Sequence, residues 1–208
     1  MAKRLSRAGD LRRPRGQANL VRIIGGLHRG RRLRFPDLAG LRPTSDRVRE
    51  TLFNWLQPLL PGAACLDLFA GSGALGLEAA SRGAGEVLML DLSPQVVEQI
   101  GANIRLLELA QARVAQGDAL RWLRNPGRPF DVVFVDPPFA DELAAACCRG
   151  LETNGWLAPA ARIYLETDAQ AAEIDLPGNW IPLRDKRAGQ VRYRLFIRQA
   201  VTTNSGGY

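Results

Sequence analysis

A glycine-rich segment carries the first pattern with chemical meaning: Gly71, Gly73 and Gly76 are spaced as Gly-x-Gly-x-x-Gly. Glycine lets the backbone approach a ligand where a Cβ atom would collide. The same spacing occurs where a strand meets a helix in dinucleotide-binding folds. The spacing therefore predicts a nucleotide-type cofactor, and by itself it leaves NAD and S-adenosylmethionine both open.

Three aspartates stand where predicted strands end, and they favour one of these cofactors. Asp67 precedes the glycines, and a carboxylate there would repel a pyrophosphate but attract an ammonium or sulfonium group. Asp91 ends an apolar run, where it needs donors such as ribose hydroxyls. Asp118 follows the third predicted strand and could accept a hydrogen bond from an adenine amino group. The alternatives are a turn cap for Asp67, a helix cap for Asp91 and a surface turn for Asp118.

The most specific motif in the chain follows the fourth predicted strand, where residues 130–135 run into Asp136-Pro137-Pro138-Phe139. The prolines fix φ, remove two N–H donors and favour an extended conformation at Asp136. The turn therefore offers mainly acceptors, followed by a ring that can stack on a flat substrate. Acceptors around the hydrogens of a nucleobase amine would hold its lone pair towards a methyl group, so that positioning and electrostatics carry the transfer. The alternative is a Pro-Pro pair that only terminates the strand.

The elements that position these motifs can be predicted from residue 63 onwards, where short apolar runs alternate with helical patterns. Strands are predicted at 64–69, 87–91, 113–116, 130–135 and 162–166, and helices at 74–82, 94–108, 119–124 and 141–152. This alternation indicates an α/β, doubly wound, mostly parallel sheet that binds ligands at the carboxyl ends of its strands. A break at residues 188–190 predicts a final antiparallel hairpin. Its second arm should have one apolar face and one mostly basic face, formed by Arg192, Arg194, Phe196 and Arg198.

Positive charge is concentrated at the two ends of the chain. The 208 residues include 28 Lys+Arg and 21 Asp+Glu, a net charge of +7. Residues 1–50 hold 14 basic and 4 acidic residues, residues 51–183 hold 8 and 16, and residues 184–208 hold 6 and 1. A polyanion such as nucleic acid would be drawn to these ends by counterion release. The alternative is that the charge serves only solubility.

The basic N-terminal region also has a structural pattern. Residues 1–19 lack apolar periodicity, which predicts a flexible tail. Residues 20–35 carry two β-prone runs around glycine turns, which predicts a hairpin, and Thr44 or Ser45 can cap the helix that follows. We expect this hairpin and helix to bind a nucleic-acid backbone through Arg22, Arg29, Arg31, Arg32, Arg34, Arg42 and Arg47.

Composition excludes several classes of protein. No apolar run approaches the roughly 18–20 residues of a membrane span, and no signal-peptide pattern follows Met1. One histidine argues against a metal site, and the three cysteines, Cys65, Cys147 and Cys148, do not form a disulfide framework. We therefore expect a cytoplasmic protein with neither a metal nor a membrane partner.

Six stretches together resemble one family of enzymes. They are RIIGG (22–26), LRPTSDRVRETLFNWL (41–56), CLDLFAGSGALGLEAASRGA (65–84), VFVDPPF (133–139), NGWL (154–157) and K-x-x-G-Q-V-x-Y-R-L (186–195). The VFVDPPF stretch is similar to the class I S-adenosylmethionine-dependent methyltransferases with (Asp/Asn)-Pro-Pro-(Phe/Tyr), which methylate exocyclic amines. From residue 21 to 198 the chain resembles the RsmD family, bacterial small-subunit ribosomal RNA guanine-N2 methyltransferases. The resemblance implies a Rossmann-like fold with a mostly parallel seven-stranded sheet.

The resemblance also implies roles for particular residues. The glycine loop would line the methionine end of S-adenosylmethionine, the end of the second strand would hold the ribose, and the end of the third would lie by the adenine. The implied cofactor contacts are Asp67, Phe69, Ala70, Gly71, Ser72, Gly73, Asp91, Leu92, Asp118 and Ala119. The implied catalytic residues, which would clasp the guanine, are Asp136, Pro137, Pro138 and Phe139.

The expected function is methyl transfer to the exocyclic N2 of a guanine in 16S ribosomal RNA, by a monomer acting on an assembled or partly assembled small subunit. The expected division of the chain is a tail (1–19), an RNA-contacting hairpin and helix (20–60), the methyltransferase domain (61–200) and a C-terminal tail (201–208). Three alternatives stay open on the residues alone. They are an amino-methyltransferase for another nucleic-acid base, an NAD-linked oxidoreductase, and a non-catalytic RNA-binding module.

Overall fold

A seven-stranded sheet forms the centre of the computed structural model, which describes residues 19–38, 41, 43–138 and 141–199. Its strands are β3 (Ala64–Asp67), β4 (Glu86–Asp91), β5 (Ala112–Gln116), β6 (Phe130–Val135), β7 (Leu157–Asp168), β8 (Trp180–Ala188) and β9 (Val191–Arg198). The strand order is β5-β4-β3-β6-β7-β9-β8. The first five strands in that order are parallel, and β9 runs antiparallel to both β7 and β8. The predicted fold class and the final hairpin are confirmed.

Helices cover both faces of this sheet. They are α1 (Asp46–Leu56), α2 (Ala74–Ser81), α3 (Pro94–Leu106), α4 (Ala119–Leu123) and α5 (Asp141–Thr153), and a 3₁₀ turn (Gln57–Leu59) follows α1. Ser45, one of the two predicted candidates, caps α1, and Ser93 caps α3. None of the helices in the described part of the chain is long and apolar enough to cross a membrane.

The hydrophobic core is divided in two by the sheet. One cluster lies under α1, α2 and α3 and includes Leu52, Leu77 and Ile100. The other lies under α4 and α5 and includes Leu123 and Leu151. Burial on both faces explains why the central strands read as continuous apolar runs. Because helices cover both faces, a ligand can reach the central strands only at their ends.

The predicted N-terminal hairpin is present and packs against the sheet domain. Its strands β1 (Asn19–Arg22) and β2 (Arg32–Phe35) are antiparallel. Asn19, predicted to lie in the tail, is instead paired with Phe35 as the first residue of β1. Residues 1–18 and 200–208, and with them nearly all of both predicted tails, lie outside the described residues. Val21, Ile23 and Leu33 are buried in the cluster under α1 to α3, so the hairpin shares its core with the sheet.

The hairpin is fastened to α2 by a buried carboxylate that the sequence did not reveal. Glu78 is fully buried and accepts hydrogen bonds from the backbone N–H groups of Ile24 and Gly25, both at 2.7 Å. The Nε atom of Arg82 also donates to it at 2.7 Å. A Cβ atom at Gly26 would collide with the backbone carbonyl of Ser81, so the turn approaches α2 as only glycine permits.

The final hairpin differs from its prediction in one respect: the basic face of β9 is not a free basic surface. Arg194 is only 5% exposed, and Phe196 beside it is buried as well. Arg192 and Arg194 both pair with Glu173, and Arg198 pairs with Glu152. The reason is topological, because β9 lies between β7 and β8 rather than at the edge. Strand β7 also starts five residues earlier than predicted.

All three cysteines are packed inside the molecule. Cys65, Cys147 and Cys148 are free thiols without measurable exposure. Burial raises the pKa of each thiol to about 12. Because the thiolate is the reactive form, these residues are chemically inert parts of the core.

Candidate active site

The two predicted motifs meet at the carboxyl ends of neighbouring strands. Strand β3, which leads into the glycine loop, is hydrogen-bonded to β4 on one side and to β6 on the other. Strand β6 leads into the Asp-Pro-Pro turn. In an open α/β sheet, ligands bind at this edge. The fold therefore brings the glycine loop, Asp91 and Asp136 to one place.

The glycine loop turns sharply from β3 into α2. Gly71 and Gly73 have φ angles of +51° and +75°, a left-handed conformation that side-chain residues rarely adopt. The N–H of Gly73 donates to the carbonyl of Ala70 at 2.7 Å and closes the turn. Gly73 is the N-cap of α2 and offers no capping side chain. The third glycine, Gly76, lies against Met89, whose side chain a Cβ atom would meet at 2.5 Å.

Asp67 is the most unusual polar group in the site. The residue is 1% exposed, and its Oδ2 atom accepts a hydrogen bond from the N–H of Gly76 at 3.0 Å. Its Oδ1 atom is buried and has no hydrogen-bond partner among the described residues. Burial raises the pKa of this carboxyl to about 7, and the charge of Asp91 adds to the effect. A buried acceptor with an unused oxygen is what an ammonium group would satisfy.

The predicted cofactor contacts beyond the glycine loop lie next to it. Asp91 accepts hydrogen bonds from the N–H of Gly71 at 2.8 Å and of Ser93 at 2.9 Å. A carboxylate has further lone pairs, so these bonds leave room for ribose hydroxyls. Leu92, beside it, is 67% exposed and offers an apolar surface next to this carboxylate.

Asp118 has a structural role that neither interpretation of the sequence included, because its side chain caps α4 by accepting from the N–H of Arg121 at 2.8 Å. Ala119 is buried behind it. The preceding Gly117 donates its N–H to the carbonyl of Asp91 at 2.9 Å, so the second and third strand ends are joined. A contact between Asp118 and an adenine stays a prediction.

The Asp-Pro-Pro turn places its carboxylate towards the sheet. Asp136 is half-buried, Pro137 is buried and Pro138 is exposed, while Phe139 lies outside the described residues. The hydroxyl of Thr44 donates to Oδ2 of Asp136 at 3.2 Å. Burial raises the pKa of Asp136 well above its ordinary value, and the charges of Glu166 and Asp67 raise it further.

Sequence reasoning missed two residues that line the site beside Asp136. The sequence around Thr44 predicts only a helix cap, although its hydroxyl reaches Asp136 across 92 positions of sequence. Glu166 is 6% exposed at the carboxyl half of β7, and the hydroxyl of Tyr164 donates to it at 2.6 Å. A usable signal was present, because the predicted strand 162–166 ends on this carboxylate as the second strand ends on Asp91.

The predicted RNA contacts form an exposed basic surface on the hairpin and α1. Six of the seven are exposed, namely Arg22, Arg29, Arg31, Arg32, Arg34 and Arg47, and Arg42 lies outside the described residues. Arg22 pairs with Asp46 at 3.0 Å. Arg49, which is not among the predicted RNA contacts, is fully buried and donates to the carbonyls of Arg22 and Thr44 at 2.9 and 3.2 Å. It thereby links the hairpin to the segment that contacts Asp136.

Comparison with known proteins agrees with this geometry. The family model described as Conserved hypothetical protein 95 matches residues 21–197. A relative from Escherichia coli strain K12, named ribosomal RNA small subunit methyltransferase D, is 50% identical over 180 residues, which are 86% of this chain and 91% of that protein. A Haemophilus influenzae protein of the same name is 48% identical, over 85% of this chain and 93% of its own.

Solved structures of similar proteins have the same architecture. An Escherichia coli structure described as the methyltransferase yhhF superimposes with a TM-score of 0.83 at 47% identity, covering 88% of this chain and 99% of that one. An RNA methyltransferase from Salinibacter ruber in complex with S-adenosyl-L-homocysteine gives a TM-score of 0.61 at 15% identity, over 80% of this chain and 100% of its own, a likeness of fold alone. The extent of the family match and the identity to full-length relatives confirm the resemblance: the chain belongs to the Conserved hypothetical protein 95 family, the RsmD family of methyltransferases.

Proposed function

We propose that the protein transfers a methyl group from S-adenosylmethionine to the exocyclic N2 of a guanine in 16S ribosomal RNA, in an assembled or partly assembled small subunit. The observation that carries the proposal is the pairing of two features at adjacent strand ends. One is the buried Oδ1 of Asp67 beside the glycine loop, for which no described residue supplies a hydrogen bond, and the other is the acceptor-rich turn at Asp136. The names of the relatives support ribosomal RNA of the small subunit as the substrate.

The residues present fit S-adenosylmethionine. When bound, this cofactor supplies a methyl group activated by a positively charged sulfur. Asp67 would accept from its ammonium group, and the loop from Phe69 to Gly73 would admit its methionine end. Asp91 and Leu92 would hold the ribose. Asp118 and Ala119 would lie by the adenine. A carboxylate at Asp67 is unfavourable for a pyrophosphate, so the NAD-linked alternative is the weaker one.

The Asp-Pro-Pro-Phe turn would hold the target amine. Its prolines offer no N–H groups, so the Asp136 carboxylate and the neighbouring carbonyls would accept from the two amine hydrogens while Phe139 stacks on the base. The base must leave its stack, or already be unpaired, to reach this edge of the sheet. These features fit an amine on any nucleobase, and the choice of guanine rests on the family resemblance.

Replacement of Asp67 by asparagine should weaken cofactor binding about 10- to 100-fold, because a hydrogen bond to a charged group contributes about 1.5–3 kcal/mol. In the wild type the affinity should rise between about pH 6 and pH 8, because the carboxyl has a pKa of about 7 and only its ionised form pairs with an ammonium. The variant should lose this pH dependence. Isothermal titration across this pH range measures both effects.

The matched control is Asp175→Asn, the same change at an exposed aspartate distant from the glycine loop in sequence. It should bind the cofactor as the wild type does. Equal affinity of the Asp67→Asn protein at all pH values would remove Asp67 from the cofactor site.

The hairpin would bind the RNA backbone around the target base. Arg29, Arg31 and Arg32 are exposed and form no ion pair with a described residue. Their triple replacement by alanine should weaken RNA binding and reduce the slope of log affinity against log salt. The expected reduction is about 0.7–0.9 for each phosphate that the protein no longer neutralises. Filter binding of ribosomal RNA at several salt concentrations measures the slope.

A second triple variant separates this effect from a general loss of charge. Arg105, Arg124 and Arg149 are also exposed but lie on α3, at the end of α4 and on α5. Their replacement by alanine removes the same three charges and should leave most of the salt slope intact. If the two variants behave alike, the hairpin is not a specific RNA surface.

The function itself is tested by transfer of tritiated methyl groups from S-adenosylmethionine to immature small subunits, naked 16S RNA and DNA. Nucleoside analysis should find N2-methylguanosine in the ribosomal particles. Methylated cytosine or adenine, or labelled DNA, would favour the alternative amine substrates instead. We further propose that the enzyme is cytoplasmic, since its substrate is assembled in the cytoplasm. We also propose that it is a monomer, and sedimentation equilibrium would measure its molecular mass in solution.

A further inference from the structure

Three carboxyl groups lie close together at the ends of neighbouring strands, and one of them has no place in the scheme above. Asp67 ends β3, Asp136 follows β6, and Glu166 lies near the end of β7. None of the three forms an ion pair with a described residue. Glu166 is the unassigned one, and its burial demands an explanation because an ionised carboxyl without a cation is costly.

The strand register places Glu166 beside Asp136. Strands β6 and β7 are parallel and pair Phe134 with Tyr164 and Val135 with Leu165, so the next position in register pairs Asp136 with Glu166. Neighbouring strands lie about 4.8 Å apart, and alternate residues share a face. The rings of Phe134 and Tyr164 pack edge-on at 6.4 Å on that face. The two carboxyl groups therefore continue the same row towards the substrate edge.

Few groups of the described residues surround Glu166. The hydroxyl of Tyr164 donates to the Oε2 atom of Glu166 at 2.6 Å. On the adjacent strand β9, Tyr193 is paired with Glu166 in register. Beyond Tyr193, Lys186 of β8 lies over the ring of Trp55 at 5.6 Å.

On the other side of Glu166 stand Asp136, with its hydrogen bond from Thr44, and then Asp67. Two acids that are neighbours in register, neither of them in an ion pair with a described residue, cannot both ionise easily. Burial raises the pKa of Glu166. Burial also raises the pKa of Asp136, and the charge of Glu166 raises it further.

We propose that Glu166 is a positioning residue that acts through Asp136: the two carboxyl groups hold one proton between them before the reaction and accept the proton that the methylated amine releases. This inference rests on the proposed function. In the step, the amine nitrogen forms a bond to the methyl carbon while the carbon–sulfur bond breaks and leaves its electron pair on sulfur. One N–H proton then passes to the Asp136–Glu166 pair, which becomes neutral and later loses it to water.

The pair would thus hold one negative charge, placed at the oxygens nearest the amine. One charge is enough to attract the amine hydrogens and the positive charge that develops on nitrogen. Removal of Glu166 should leave Asp136 ionised over a wider pH range, because the carboxylate that disfavours its charge is gone.

The test is Glu166→Gln, which keeps an oxygen to accept the Tyr164 hydroxyl. The acid limb of the single-turnover rate should move to lower pH by about one unit, the size expected for coupled groups. The carboxyl NMR signal of Asp136 in the cofactor-free protein should show the same shift. Cofactor affinity should not change. Glu98→Gln, the same change on the exposed face of α3, should alter none of these.

An unchanged acid limb together with an unchanged Asp136 titration would overturn the inference and leave the proposed function standing. Independent titration of Asp136 and Glu166 in the wild type would also overturn it, and this measurement serves if the variant does not fold. If the wild type methylates no guanine while its two carboxyl groups titrate together, the proposed function fails instead.

Discussion

Asp136→Ala is expected to lower the rate of methyl transfer about 10²- to 10⁴-fold, the range found when a positioned acid or base is removed. Asp136 is the only side chain of its turn that can accept a proton, since its neighbours are prolines and a phenylalanine. Without it, neither the amine hydrogens nor the charge that develops on nitrogen meets a carboxylate. Single-turnover transfer to immature small subunits, with the RNA and the cofactor saturating, measures the loss.

The same variant should keep its fold and its cofactor affinity. Because the pKa of Asp136 is raised in the folded protein, its protonated form is the one that favours folding. Its contribution is complete below the pKa of an unfolded aspartate and is lost as the pH rises through the raised value. Near neutral pH, alanine should therefore not lower the free energy of unfolding through charge. Full methyl transfer by Asp136→Ala would refute the role of the turn.

Glu78→Gln is expected to cost about 3–5 kcal/mol of folding stability, the usual effect of breaking a buried ion pair from one side. Glu78 accepts from Ile24, Gly25 and Arg82, and an Nη1 atom of Arg49 lies 3.8 Å from it. A neutral amide would place an NH2 group against at least one donor. Urea unfolding measures the loss, and amide exchange at Ile24 and Gly25 should show that the hairpin is the first part to open.

Glu50→Gln is the matched control, because Glu50 is exposed on α1 and takes no part in this cluster. Its free energy of unfolding should stay within about 0.5 kcal/mol of the wild type. A stable Glu78→Gln protein with slow exchange at Ile24 would mean that packing alone holds the hairpin. RNA binding by the variant would then also be normal.

The sequence predicts the sheet well where burial produces continuous apolar runs. Strand β6 has the predicted bounds, 130–135, and α3 begins at the predicted residue, Pro94. Strand β7 is longer than predicted because Pro159 and Ala160, which has a φ of +63°, lie in an irregular stretch where its register with β6 shifts between Leu157 and Arg162, yet the strand continues through it. Such an interruption is decided by the neighbouring strands and not by local preference.

The site could be predicted only as far as its motifs extend along the chain. Asp67 and Asp136 stand beside their own glycines and prolines, so local pattern identifies them. Thr44 and Glu78 act on partners 92 and 54 positions away, and nothing in their own surroundings reveals those contacts. Glu166 is intermediate between these cases. Its strand was predicted, but its position beside Asp136 at the end of β6 was not.

The inert thiols of the core make the protein convenient for spectroscopy. With Cys65, Cys147 and Cys148 buried and each pKa raised to about 12, a maleimide dye should leave the unaltered chain unlabelled at neutral pH. A cysteine introduced on the exposed hairpin, as in Arg29→Cys, would then be the only reactive position. A fluorophore there could report the arrival and departure of a ribosomal particle in real time, without any of the native cysteines having to be replaced.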